Sequence, residues 1–249
     1  MNKIITSEEE LSKYPTLNDT IHHESDIYIH DDVLYKILLY GNRLTRESTV
    51  QRLYYYDNPS CVTPTGIIYT SDHQFLGFEM PYLREYVPST RLIFNKSISY
   101  KDKLKIAKKI ATSIERLSLD GMLFWDIHPD NNLISKDGNI KIVDMDGVRF
   151  KDEYDSATFM KEVASTHRLL SQLSLSYISK MNVIELAKTL DEEDLKEIFS
   201  SVFKGSLSSY LDCIFGFSDL VVYPSEFIED LEEKDLDNLR SSLIKKLSK

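Results

Sequence analysis

The chain has 249 residues, 42% hydrophobic and 28% charged, with eight glycines and a net charge of −10. A chain of this length buries about three quarters of its unfolded surface, so its core needs neither disulfides nor a structural metal. Gly41, Gly66, Gly77, Gly121, Gly138, Gly147, Gly205 and Gly216 are too scattered to form G-x-G-x-x-G or G-x-x-x-x-G-K-[ST]. This argues against a Rossmann domain and a P-loop NTPase, which need glycine where backbone N–H groups approach phosphate. Cys61 and Cys213 make no C-x-x-C pair, so neither a disulfide scaffold nor a zinc site is expected, and a reducing interior suits the chain. Acidic residues outnumber basic ones and no basic stripe is present, which speaks against nucleic acid as a partner. The start MNKIITSEEE lacks the apolar segment of a signal peptide. No run of about 18 apolar residues occurs, so no membrane contact and a cytoplasmic location are expected.

In chain order, Ile27-Tyr28-Ile29 and the run 33–37 flank His30-Asp31-Asp32 and predict a hairpin. Residues 47–56 predict a helix, with Val50, Leu53 and Tyr54 on one face, ending before Asn58-Pro59. Two β-prone stretches, 65–70 and 74–80, are parted by Ser71-Asp72-His73, and this β-rich part ends near Pro81. A helix over 101–117 carries Leu104, Ala107, Ala111 and Ile114 and stops at Asp120-Gly121. Met122-Leu123-Phe124, a polar loop and Leu133-Ile134 follow. The turn Asp137-Gly138 and the run 140–143 then complete a second predicted hairpin. Later helices are predicted over 159–173, 183–190, 194–199 and 236–247, with 229–237 as a solvated acidic face.

The chemistry is concentrated in FWDIHPDNNLI at 124–134 and IKIVDMDG at 140–147. Asp126 and Asn131 form D-x-x-x-x-N in a polar loop, and Asp144 ends the second strand of the hairpin. That hairpin is expected to bring Asn131 and Asp144 to the same end. An amide oxygen and a carboxylate are hard ligands that Mg²⁺ accepts when substrate phosphates complete its shell. Asp126 beside them would take the proton of an attacking hydroxyl.

This pattern resembles the protein-kinase-like superfamily, which includes the eukaryotic-like Ser/Thr kinases, and the chain reads as a divergent member. The family's loop is H-R-D-x-x-x-x-N, with the metal-binding aspartate about eighteen residues after the catalytic one, the spacing of Asp126 and Asp144. The resemblance implies a bilobal α+β fold, with a small β-rich N-lobe at 1–83 and a larger helical C-lobe at 84–249. It makes Asp126 the catalytic base, Asn131 and Asp144 metal ligands, and Asp146 a further carboxylate for the metal. VLYK at 33–36 resembles the V-A-x-K strand, which assigns Lys36 to the nucleotide phosphates and Glu47, on the next helix, to Lys36. GFEMPYL at 77–83 resembles the adenine-holding strand and hinge, with Met80 as gatekeeper and Tyr82 and Leu83 following. ATP and Mg²⁺ are the implied cofactors.

The chain also departs from the family. Phe124-Trp125 replaces His-Arg, Asp144-Met145-Asp146 replaces Asp-Phe-Gly, and Leu34 stands where an alanine roofs the adenine. The stretch 18–27, where the family has its glycine-rich loop, contains no glycine. A looser lid is expected there, with Lys36 and the metal carrying more of the phosphate binding. No Ala-Pro-Glu follows Asp144, and D-x-H-P-x-N around His128 is similar to aminoglycoside and choline phosphotransferases. The expected reaction is phosphoryl transfer to protein Ser/Thr hydroxyls. A small-molecule hydroxyl is the alternative acceptor, and a pseudokinase that binds a partner without transfer is the third reading.

Overall fold

The structure, a computed structural model, describes all residues except 18–23, 94, 180, 204–205 and 218. In chain order it begins with β1 (Lys3–Ile5), α1 (Glu8–Leu11), β2 (Ser25–His30), β3 (Val33–Leu38), α2 (Tyr40–Tyr54), β4 (Gly66–Tyr69) and β5 (Phe75–Pro81). Next come β6 (Tyr86–Pro88), α3 (Thr90–Ile93), α4 (Tyr100–Leu119), β7 (Met122–Leu123), β8 (Asn132–Ser135), β9 (Ile140–Ile142) and β10 (Arg149–Phe150). The rest is helical: α5 (Ser156–Ile178), α6 (Val183–Ala187), α7 (Glu192–Val202), α8 (Ser206–Ile214), α9 (Pro224–Asp230) and α10 (Glu233–Leu247). The protein is therefore α+β, sheet-rich first and helical later. Among the described residues no helix is long and apolar enough to cross a membrane. The chain divides into two compact units, Met1–Tyr86 with Leu133–Val148, and Val87–Asn132 with Arg149–Lys249.

The first unit is built on a five-stranded sheet of order β1-β4-β5-β3-β2. The hairpin read from the alternation of 27–37 forms as an antiparallel pair running from Ser25 opposite Leu38 to His30 opposite Val33. Asp31 turns it with a φ of 53°, a left-handed conformation that aspartate tolerates better than most residues. On β5, Gly77 lies opposite Ile37, and an added Cβ would come within 2.0 Å of the Lys36 carbonyl oxygen. Only glycine allows β3 and β5 to approach this closely. One face of the sheet buries Leu34, Leu38, Ile67, Phe78 and Met80 with Val50 of α2. The other buries Ile37, Ile68 and Leu76 with Leu11 of α1.

Helix α2 starts at Tyr40, not at residue 47 as its sequence predicts. Its N-cap, Leu39, offers no side-chain cap, so the signal that marks most helix starts is absent. β1 joins the sheet parallel to β4; three residues are too few to show the alternation by which strands are recognised. The predicted second hairpin is present as β8 and β9, with Gly138 at a φ of 74° in its turn. Strand β9 is tied into this unit by Val62 N–H donating to Ile142 O at 2.8 Å and Ile142 N–H donating to Ser60 O at 2.7 Å.

In the second unit, α4 and α5 have the start signals the sequence lacks at α2. Ser99 Oγ accepts from Asp102 N at 3.2 Å, and Asp155 Oδ1 accepts from Ala157 N and Thr158 N, each at 3.0 Å. Helix α4 buries Ala107, Ile110, Ala111, Ile114 and Leu117, and α5 buries Val163, Ala164, Leu170 and Tyr177. The stretch 229–237 keeps most of its acidic side chains at the surface but turns Leu231 and Leu236 inward, so it is only partly the solvated face expected. Helices α8 and α9 have no counterpart among the sequence expectations.

Candidate active site

In the first unit, alternation along β3 puts Lys36 on the same face as Leu34 and Leu38, the face covered by α2. Lys36 is only 4% exposed, and an ammonium buried to that extent needs anionic partners. It has two. Nζ pairs with Asp144 Oδ1 and donates to Asp146 Oδ1 at 2.5 Å, while the Phe78 ring centroid lies 5.8 Å away. A small cavity beside this cluster is lined by Leu53, Val62, Phe78 and Met80 together with Lys36, Asp144 and Asp146.

The two carboxylates differ. Asp146 is 1% exposed and its oxygens are divided, Oδ1 to Lys36 and Oδ2 to Arg46 Nη1 at 2.7 Å. Arg46 continues outward to an ion pair with Glu24. The Asp144 side chain is 42% exposed, and its backbone adopts φ 61° and ψ 41° where it caps the short turn Met145–Gly147. As at Asp31, aspartate tolerates this left-handed conformation better than most residues.

Burial alone would lower the Lys36 pKa, but Asp146 and Asp144 outweigh it and hold the ammonium above its ordinary value. Burial also works against the Asp146 charge, yet Lys36 and Arg46 keep its carboxyl below the usual carboxylate range. For Asp144, desolvation raises the carboxyl, Lys36 pulls it back, and the neighbouring Asp146 charge pushes it up again, leaving it raised. One ammonium shared by two carboxylates favours the buried one, which also has the arginine.

Glu47 is not brought to Lys36. It accepts from Gln51 Nε2 at 3.0 Å and from Tyr69 OH at 3.1 Å. The residue of α2 that reaches the cluster is Arg46, which the sequence reading missed. Its signal was present: Arg46, Val50 and Leu53 are spaced i, i+4, i+7, so Arg46 belongs to the stripe whose other members are buried. Starting the helix at 47 removed Arg46 from that stripe. Met80 is buried at the cavity, and Tyr82 and Leu83 pack half-buried against the same core. Most of the glycine-free stretch 18–27 lies outside the described residues, but Glu24 is the ion-pair partner of Arg46.

In the second unit, Asn131 Nδ2 donates to Asp126 Oδ2 at 2.7 Å and to Asp126 O at 3.1 Å. The loop around them is braced from beneath. Ser89 Oγ donates to Pro129 O at 2.6 Å and also pairs with Tyr177 OH. Fully buried Asn132 donates Nδ2 to His128 O at 2.8 Å. His128 Nδ1 accepts from Asp130 N at 3.3 Å, which makes it a loop-shaping residue. Asp126 remains exposed.

Taken one by one, two of the expected metal ligands suit a cation such as Mg²⁺. Asp144 is a half-exposed carboxylate, and Asn131 engages Asp126 through its nitrogen, leaving its oxygen outside that bond. Asp146 does not fit, because both of its oxygens are committed to cations. Among the described residues no group of three or more His, Cys, Asp or Glu side chains is arranged to hold a metal ion. No protein-family model and no curated protein matches the chain.

Proposed function

We propose that the protein is an ATP- and Mg²⁺-dependent phosphotransferase that acts on an alcohol hydroxyl. The observation that carries this reading is the ion pair between the β3 lysine, Lys36, and Asp144, the two residues that the family resemblance assigns to phosphate and metal. The hydrogen bond from Asn131 to Asp126 supports it from the other motif. Lys36 holds the nucleotide phosphates, and Asp126, oriented by Asn131, accepts the proton of the attacking hydroxyl. Asn131 and Asp144 would hold Mg²⁺, which when bound neutralises charge on the transferring phosphoryl group.

The acceptor is better read as a small molecule than as a protein Ser/Thr side chain. After Asp144 the chain makes the turn Met145–Gly147, pairs β10 with β7 (Arg149 opposite Leu123), makes a second turn at Lys151–Glu153 and enters α5 at Ser156. Little chain is left over to build a platform for a peptide. The test is a thermal shift with ATP, with and without Mg²⁺, on wild type and Asp144→Asn, followed by transfer of labelled phosphate to protein and to sugar or amino-alcohol acceptors. A Mg²⁺-dependent shift lost in Asp144→Asn, with label on a small alcohol, is expected. No shift at millimolar nucleotide would leave the pseudokinase reading in its place.

A further inference from the structure

We propose that Asp146 and Arg46 are positioning residues for Lys36: Asp146 anchors the ammonium and Arg46, from α2, holds Asp146 in place to do so. The purpose of that anchoring rests on the reading of Lys36 as the phosphate-binding group. In the family this chain resembles, a glutamate of the helix after the lysine strand has that task, and Glu47 was expected to perform it. Here Glu47 is occupied with Gln51 and Tyr69, and the helix contributes a cation instead of an anion.

The charge arrangement explains why a cation suits the position. Lys36 meets two carboxylates, and a buried pair of carboxylates sharing one ammonium would leave negative charge uncompensated. Arg46 supplies the second positive charge, and it does so on the far oxygen of Asp146, away from Lys36. With Glu24 paired to Arg46, the cluster Lys36–Asp146–Arg46–Glu24 balances its charges without Asp144. Asp144, exposed on its outer side, can exchange Lys36 for another partner while the lysine stays where it is. The arrangement separates a permanent anchor from an exchangeable one.

Arg46→Met, Arg46→Lys, Asp146→Asn, Glu47→Gln and the double variant Arg46→Met/Asp146→Asn test this. The primary readout is acylation of Lys36 by acetic anhydride at one fixed pH, measured by mass spectrometry relative to the other lysines. Melting temperatures are recorded alongside. Asp146→Asn should raise Lys36 labelling by at least about tenfold; removing the Arg46 charge would by itself keep the ammonium protonated and lower labelling, so a rise in Arg46→Met reports that Asp146 has left Lys36, and the double variant should match Asp146→Asn. Arg46→Lys should return labelling toward wild type, and Glu47→Gln should leave it unchanged. Labelling that fails to rise in Arg46→Met or in Asp146→Asn, or rises equally in Glu47→Gln, overturns the assignment. If Arg46→Met does not fold, Asp146→Asn against Glu47→Gln makes the same comparison. Binding of a fluorescent ATP analogue is measured in parallel. Absence of binding in the wild type would end the phosphotransferase reading, while the order of Lys36 labelling would still decide the roles of Arg46 and Asp146.

Discussion

Lys36 and Asp144 are 108 positions apart in the chain and share an ion pair in the first unit. The same ammonium is bound by Asp146 from the fully buried side. Two aspartates two residues apart therefore carry different burdens, one toward the core and one toward solvent.

Their substitutions should separate stability from ligand binding. Asp146→Ala leaves Lys36 and Arg46 without their common anion, and breaking a buried pair in this way costs about 3–5 kcal/mol. Asp144→Asn removes a half-exposed charge, keeps a residue that tolerates left-handed backbone, and should cost no more than about 1 kcal/mol. Urea unfolding of the two variants gives the comparison. Equal destabilisation would show that the exposed pair supports the fold as much as the buried one.

Asp126 is exposed and its side chain accepts from Asn131, so Asp126→Ala should melt close to wild type. Its effect should fall on transfer, by about 10²- to 10⁴-fold for loss of a general base. Initial rates with labelled ATP and the accepted alcohol would measure this. A variant with near-normal kcat would remove Asp126 from the reaction.

The chain contains one tryptophan, Trp125, 37% exposed and adjacent to Asp126. Its fluorescence is therefore a single-site reporter of the loop that holds Asp126. Titration with a true acceptor should change its intensity and wavelength with saturation, and Asp126→Asn should keep the signal while lowering turnover. An acceptor that is phosphorylated yet leaves the emission unchanged would place its binding away from this loop.

His167 gives the clearest acid dependence. It is fully buried, its Nδ1–H donates to Val222 O at 2.8 Å, and among the described residues Nε2 has no hydrogen-bond partner. Burial lowers its pKa below the ordinary 6.5, with the Val222 bond offsetting part of the effect. As pH falls, the unfolded chain takes up this proton first. The stability from His167 is thus complete above pH 6.5 and is lost as pH drops toward the folded value. Melting temperature should fall between about pH 7 and 5, and His167→Gln should flatten that slope. Asp146 adds a second loss further down, because its lowered carboxyl stabilises the fold above 3.8 and gives that up only as pH falls through its folded value. Lys36 has the opposite sign, its contribution being present below 10.5 and lost on going higher.

The elements that the sequence made legible are those with strong local signals. The hairpin around Asp31, the α4 helix ended by Gly121 and the turn at Gly138 all have residues whose backbone preferences mark the boundary. The motif at 124–134 also singled out Asp126 and Asn131, which the structure places in contact, whereas Lys36 and Asp144 were singled out separately and their ion pair was not foreseen. What was not legible depended on helix phase and distant partners. An uncapped start at Leu39 hid two turns of α2, and with them the inward position of Arg46. Whether Asp146 would face solvent or Lys36 was decided by residues about a hundred positions earlier, which no local pattern records.

Gly77 gives independent control over the position of Lys36. A methyl group there would meet the Lys36 carbonyl oxygen at 2.0 Å, so Gly77→Ala must push the two strands apart. Every titratable group would be retained, and only the distance at which the lysine is presented would change. Such a variant would divide the contribution of geometry from that of charge within one site, which removal of a charged residue cannot do.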